Sequence, residues 1–154
     1  MAIRFSNPKT LAKPPGYTNV VETAGPARTV YFAGQLGIDI ENKFVGAPGD
    51  FRAQCIQAFE NMTRALKAAG ASWNDVVKIS NFLVGIETNM AAFREVRDRY
   101  LDAKAPPAST TIGVPALARP GGLFEIEAIA VLSPARSAAR PGKRKVKASR
   151  RKRS

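Results

Sequence analysis

Glu125 and Glu127 stand two residues apart in the stretch Leu123-Phe124-Glu125-Ile126-Glu127-Ala128-Ile129-Ala130-Val131. The alternation has the period of a β-strand, so both carboxylates project from one face and Phe124, Ile126, Ala128 and Ala130 from the other. Neighbours on one face of a strand are roughly 6.5–7 Å apart. Two carboxylates on a mostly apolar strand either meet solvent or face a cleft, where a carboxylate can move a proton or recognise a polar group. A second polar set, Ser109 and Thr111, alternates with Thr110, Ile112 and Val114 in the preceding strand segment. The chain has no histidine, which excludes Ser-His-Asp and Cys-His catalysis and histidine-ligated zinc. With no His and no lysine expected beside it, Ser109 is not read as a nucleophile. No metal site and no cofactor motif is expected.

These segments need a scaffold. The first 18 residues are punctuated by Pro8, Pro14, Pro15 and Gly16 and read as an extended arm or short edge strand. Residues 19–24 and 28–33 read as strands about the turn Gly25-Pro26, and residues 37–45 as a further short strand. Asp50 is placed as an N-cap. Phe51, Cys55, Phe59, Met62 and Leu66 then recur at helical spacing, and Gly70 falls where a helix ends. Ser72 to Asp75 reads as a turn and Val76 to Val84 as a buried strand. A second helix is expected over about 89–103, with Phe93, Val96 and Tyr100 inward, stopped by Pro106-Pro107. Strands over 109–116 and 123–132 close the pattern.

Two amphipathic helices on one mixed sheet make an α+β two-layer sandwich. The expectation is that the helices cover the face carrying Ile112, Val114, Phe124 and Ile126. The other face would then carry Ser109, Thr111, Glu125 and Glu127. No remaining element can cover that face, so burial by a second copy, and hence an oligomer, is expected.

Charge divides the chain. The net charge is +12, yet ten of the 24 basic residues lie in 136–153, where there is no acid; 14 basic and 12 acidic residues remain over 1–133. The organisation expected is one domain over 1–133 and a disordered basic tail over 134–154. The tail suits electrostatic binding of nucleic acid or another polyanion, or simple solubilisation. A single cysteine, Cys55, on the helical stripe reads as core filler; the chain cannot form an internal disulfide, and a cytoplasmic setting is expected. No secretory leader and no membrane span is expected.

Several stretches in order resemble the RidA family, also called the YjgF/YER057c family. They are Pro15-Gly16-Tyr17, Val30-Tyr31-Phe32-Ala33-Gly34-Gln35, Gln57-Ala58-Phe59-Glu60-Asn61 and Ala69-Gly70-Ala71-Ser72. Asp75-Val76-Val77-Lys78, Pro107-Ala108 and Phe124 to Ala130 complete the set. The resemblance spans about residues 10–132. It implies a chorismate-mutase-like fold, a homotrimer with ligand clefts between subunits, and hydrolysis of reactive enamines and imines without a cofactor. It makes Glu125 the water-positioning carboxylate. Tyr17 either closes the cleft or packs on the core as a loop aromatic, and Gly34 and Gln35 either shape the pocket floor or simply end a strand. Ser109 and Thr111 would line the pocket, and Glu127 would serve subunit assembly.

Deaminating members read Pro-Ala-Arg-Ser or Pro-Ala-Arg-Thr, with the arginine clamping the substrate carboxylate. This chain reads Pro107-Ala108-Ser109-Thr110. A serine has neither the charge nor the fork of a guanidinium, which weighs against efficient deamination of small imino acids. Arg94, where many members carry asparagine, would return positive charge to the cleft rim. The alternatives are a non-catalytic binder or sensor that keeps the cleft, and a nucleic-acid-associated protein dominated by its tail.

Overall fold

The computed structural model describes residues 1–134; the basic stretch at 136–153, and with it the expectations of disorder and polyanion binding, lies outside the described residues. Strands β1 (Ala2–Ser6) and β2 (Val20–Ala24) form an antiparallel ribbon of their own. The main sheet holds β3 (Arg28–Leu36), β4 (Val76–Val84), β5 (Ala108–Val114) and β6 (Phe124–Leu132) in the order β3-β6-β4-β5. β6 is antiparallel to both its neighbours, whereas β5 runs parallel to β4 at the sheet edge. A parallel pair needs a crossover, and helix α2 (Ile86–Arg97) supplies it. Helix α1 (Phe51–Ala68) lies on β3 and β6. The α+β two-layer sandwich with a mixed sheet and both helices on one face is the expected one.

Helix α1 is set by its ends and its stripe. The Asp50 carboxylate accepts from the Ala53 amide at 2.9 Å, satisfying one of the amides that a helix start leaves free. Phe51, Cys55, Phe59, Met62 and Leu66 are all buried. At the far end Gly70 adopts φ +72°, while the Ala71 amide returns to Leu66 O at 2.8 Å and the Gly70 amide to Lys67 O at 3.0 Å; these are the paired bonds of a left-handed helix stop. Phe59 stacks on Tyr100 and Phe124 with ring centroids 4.9 and 5.7 Å apart. Those rings join Met62, Leu66, Phe93 and Val96 from the helices to Ile79, Leu83, Ile126 and Ala128 from the sheet.

In extent, two segments differ most from expectation, while the turn at 72–75 is as expected. Residues 37–45 form only a bridge between Ile38 and Phe44. Ser72 to Asp75 is a turn whose core is a 3-10 helix, Trp73–Asp75, closed by Asp75 Oδ2 accepting from the Ser72 amide and hydroxyl at 2.8 Å each. Helix α2 starts three residues early, because Gly85 at φ +62° turns the chain directly out of β4 and Asn89 Nδ2 donates to Val84 O. It also ends early, at Arg97, so that Tyr100 leaves the helix to stack on Phe59 and donate to Glu60 at 2.7 Å.

One correction matters for the site. β5 faces the opposite way to that expected. In register, Asn81 pairs with Thr111 on one side and with Ile126 on the other, so Thr111 and Ser109 share the helix-covered face with Ile126. Gly113 belongs to that face too: a Cβ there would lie 2.7 Å from the Ile86 side chain. Thr110 and Ile112 instead share the open face with Glu125 and Glu127. The apolar members of β5 misled the assignment because the open face is itself partly apolar; Tyr31 and Ile112 on it are 76% and 45% exposed. No described helix is long and apolar enough to cross a membrane.

Candidate functional site

Glu125 sits on the open face of β6, opposite Phe82 of β4 and Leu36 of β3. The register of β3 against β6 shifts between Phe32 and Gln35, and Gly34 lies in that irregularity. A Cβ at Gly34 would fall 1.8 Å from Glu125 Oε1 and 2.7 Å from its carboxyl carbon. The carboxylate therefore rests on the backbone of residue 34, in space that only glycine leaves open. Among the described residues nothing hydrogen bonds to the Glu125 side chain. Burial, and then the negative charge of Glu127 on the same face, raise the Glu125 carboxyl above the ordinary range. A partly desolvated carboxylate without partners is a stronger base than a solvated one, and it has lone pairs to offer a water.

Beside it on the same face lies a cavity of about 470 Å³ lined by Tyr31, Ala33, Lys78, Ser80, Glu127 and Ile129. Lys78 donates to Thr110 Oγ1 at 2.5 Å, and burial lowers its pKa. Lys78 thus works on the open face, whereas Ser109 lies on the helix-covered face.

The second cleft, about 330 Å³, opens between α2 and the edge strand β5. Tyr17, Arg94, Arg97, Ser109 and Thr111 line it, with Phe93 and Met90 behind. Its floor is organised by Asn81, which is fully buried. Asn81 Nδ2 donates to Ser109 Oγ at 3.2 Å, Thr110 O at 3.2 Å and Thr111 Oγ1 at 3.1 Å. Both hydroxyls are thereby used as acceptors, and their protons are left to donate outward. Asn81 Oδ1 is buried without a partner among the described residues.

The expected site residues therefore fall into three places. Tyr17, Arg94, Ser109 and Thr111 meet in the cleft beside α2. Glu125 and Gly34 meet on the other face of the sheet. Gln35 is apart from both: its amide donates to Ala33 O at 3.2 Å, and it lines a shallow hollow with Ile38, Asn61 and Arg64. Within one copy the carboxylate and the polar cleft cannot act on one small molecule, because the sheet lies between them.

Two residues escaped the sequence reading. Arg97 stands out in no sequence pattern, yet it is only 7% exposed. Asn81 carried a visible signal, a lone amide in the middle of the apolar run Val76 to Val84, where a buried polar group needs partners.

Residues 9–132 match the family model described as Endoribonuclease L-PSP. The chain is 38% identical over 107 residues to the 2-iminobutanoate/2-iminopropanoate deaminase of Capra hircus, covering 70% of this chain and 75% of that protein. A Rid-family protein of Yersinia pestis superposes with a TM-score of 0.75 at 36% identity, covering 86% of this chain and all of the other. The RidA of an Antarctic Psychrobacter superposes with a TM-score of 0.62 at 36% identity, covering 79% and 92%.

Proposed function

The chain belongs to the RidA family, and from that premise we propose that it hydrolyses small imines and enamines at a cleft shared between copies of itself, with Glu125 positioning and activating the water. The observation that carries the proposal is the unpartnered Glu125 carboxylate seated on Gly34. An enamine first takes a proton at carbon and gives one up from nitrogen, which makes it the imine. Glu125 then accepts a proton from water as the oxygen bonds to the imine carbon. That proton passes to nitrogen to give the carbinolamine, the carbinolamine hydroxyl proton then follows to nitrogen as the C–N bond breaks, and ammonia leaves with an oxo compound behind. One water is consumed, with no change of oxidation state, so the reaction asks only for a base and for placement.

The other half of the site comes from a neighbour. β5 is an edge strand, and the polar cleft lies against it, while Glu125 lies on the face left uncovered. Packing the open face of one copy on the β5 edge of the next brings the two halves together and buries Tyr31 and Ile112. A homotrimer closes such a head-to-tail contact, and Glu127 would then help to hold it. A cytoplasmic setting suits a chain whose one thiol, Cys55, is buried and held up to about pKa 12 by that burial. The basic residues of 136–153 add a non-specific affinity for polyanions.

Ammonia release from 2-iminopropanoate generated in situ is the test. Wild type should exceed the buffer rate, and Glu125→Gln should return to it. A wild type that binds the oxo acid product yet never exceeds buffer is a binder without turnover, and the hydrolase reading fails.

A further inference from the structure

We infer that the cleft beside α2 is a carboxylate site built on Arg97 with Arg94, and that it holds the acid end of a small 2-oxo or 2-imino acid. The inference deepens the proposed function and rests on it for the choice of acid. Arginine is seldom buried unless paired, and Arg97 is paired on one side only. Its Nε and Nη2 both donate to Asp98 Oδ1, at 2.8 and 2.7 Å. The Asp98 side chain is itself 63% exposed, so this partner fixes the guanidinium more than it neutralises it. Nη1 has no hydrogen-bond partner among the described residues.

The guanidinium is also fixed in orientation. Its carbon lies 5.7 Å from the Phe93 ring centroid. On another side it is in contact with the backbone of Gly16, where a Cβ would fall 2.4 Å from Nη2 and 3.5 Å from Nη1. Gly16 has φ +87°, a turn that carries Tyr17 to the same cleft. A planar fork held in this way loses little freedom when it binds.

The rest of the cleft agrees in sign. Arg94 precedes Arg97 by three residues and so shares its helix face; its side chain has no partner among the described residues. Among the described residues no acidic side chain lines the cleft. The Ser109 and Thr111 hydroxyls have donors to spare because Asn81 already occupies them as acceptors. A cleft of donors and positive charge calls for an anion with several acceptor oxygens.

Titration calorimetry with pyruvate, with neutral pyruvamide and with inorganic phosphate tests this on the full chain. Wild type should bind pyruvate saturably and phosphate weakly. Arg97→Gln should weaken pyruvate at least about tenfold and Arg94→Gln a few-fold, as expected for losing charge-assisted bonds. Both should weaken pyruvamide less than they weaken pyruvate, because the neutral amide lacks the charge that the arginines pair with. If Arg97→Gln does not fold, Arg97→Lys, which keeps the charge and loses the fork, should still weaken pyruvate several-fold. Absence of saturable pyruvate binding to wild type, wild-type affinity in Arg97→Lys and Arg94→Gln, or phosphate competing on equal terms would each overturn the inference. A wild type that binds pyruvate through Arg97 but releases no ammonia ends the hydrolase reading and leaves this one standing. Imine hydrolysis with an unchanged KM in both arginine variants ends this one alone.

Discussion

Gly34→Ala separates the chemistry of Glu125 from its contribution to folding. Gly34 does not lie at positive φ, so the backbone accepts alanine. What the new methyl meets is the end of a flexible side chain, 1.8 Å from Oε1 and 3.0 Å from Cγ. Ordinary contact is about 3.5 Å, so the carboxylate must retreat by roughly 1.7 Å, which a rotamer change accomplishes. The cost in stability is small, because alanine also narrows the unfolded ensemble by an amount worth about 0.4–1 kcal/mol; the Tm should stay within about 4 °C of wild type. The reaction is less forgiving. A misplacement of about 1 Å in a positioned group costs roughly a hundredfold, and a lost general base costs about 10²–10⁴-fold. Ammonia release by Gly34→Ala should therefore fall about a hundredfold in kcat with the melting curve almost unmoved. Activity within threefold of wild type, in a variant that melts normally, would refute the seating of the carboxylate on Gly34 as the basis of its role.

Further outcomes follow from the same contacts. The raised Glu125 pKa puts the acid limb of the activity profile above the ordinary carboxylate range, and Glu127→Gln should move that limb down by removing a like charge; an unmoved limb counts against Glu125 as the titrating base. A folded pKa raised by burial favours the protonated form, so Glu125→Gln should stabilise slightly at neutral pH, by at most about 2 °C given solvent screening. The gain should shrink as pH falls through the raised pKa, as read by thermal melts across pH. Asn81→Ala leaves the Ser109–Thr111 floor without its donor and should cost about 1–3 kcal/mol in urea unfolding, followed through Trp73, the only tryptophan. A chain ending at residue 133 should elute from heparin or DNA at lower salt than the full chain; equal elution at low salt removes the polyanion reading of residues 136–153.

Much of this architecture is legible in the sequence because it is periodic. The α1 stripe, the Asp50 cap and the Gly70 stop needed only local rules, and the alternation of β6 put Glu125 opposite the core correctly. β5 was different. Ser109, Thr111 and Gly113 form one alternate set and Thr110, Ile112 and Val114 the other, but alternation does not say which set the helices cover. The answer lies in pairing with β4, where Asn81 turns two hydroxyls into an inner polar floor. That single reversal is why Glu125 and Ser109 stand on opposite sides of the sheet. Arg97 was hidden for a related reason. Its burial depends on Gly16, 81 positions away, and no spacing rule joins a loop glycine to the last turn of a helix.

The central claim is that one site is assembled from Glu125 of one copy and the α2 cleft of another, and subunit mixing tests it most directly. Glu125→Gln removes the base; Ser109→Trp fills the cleft. Each folded variant alone should be inactive. After equal mixing through unfolding and reassembly, random closure of a ring leaves about a quarter of the shared sites with both halves intact, so ammonia release should return to about a quarter of the wild-type rate. A mixture as inactive as its parents, with exchange of subunits demonstrated, would contradict the account.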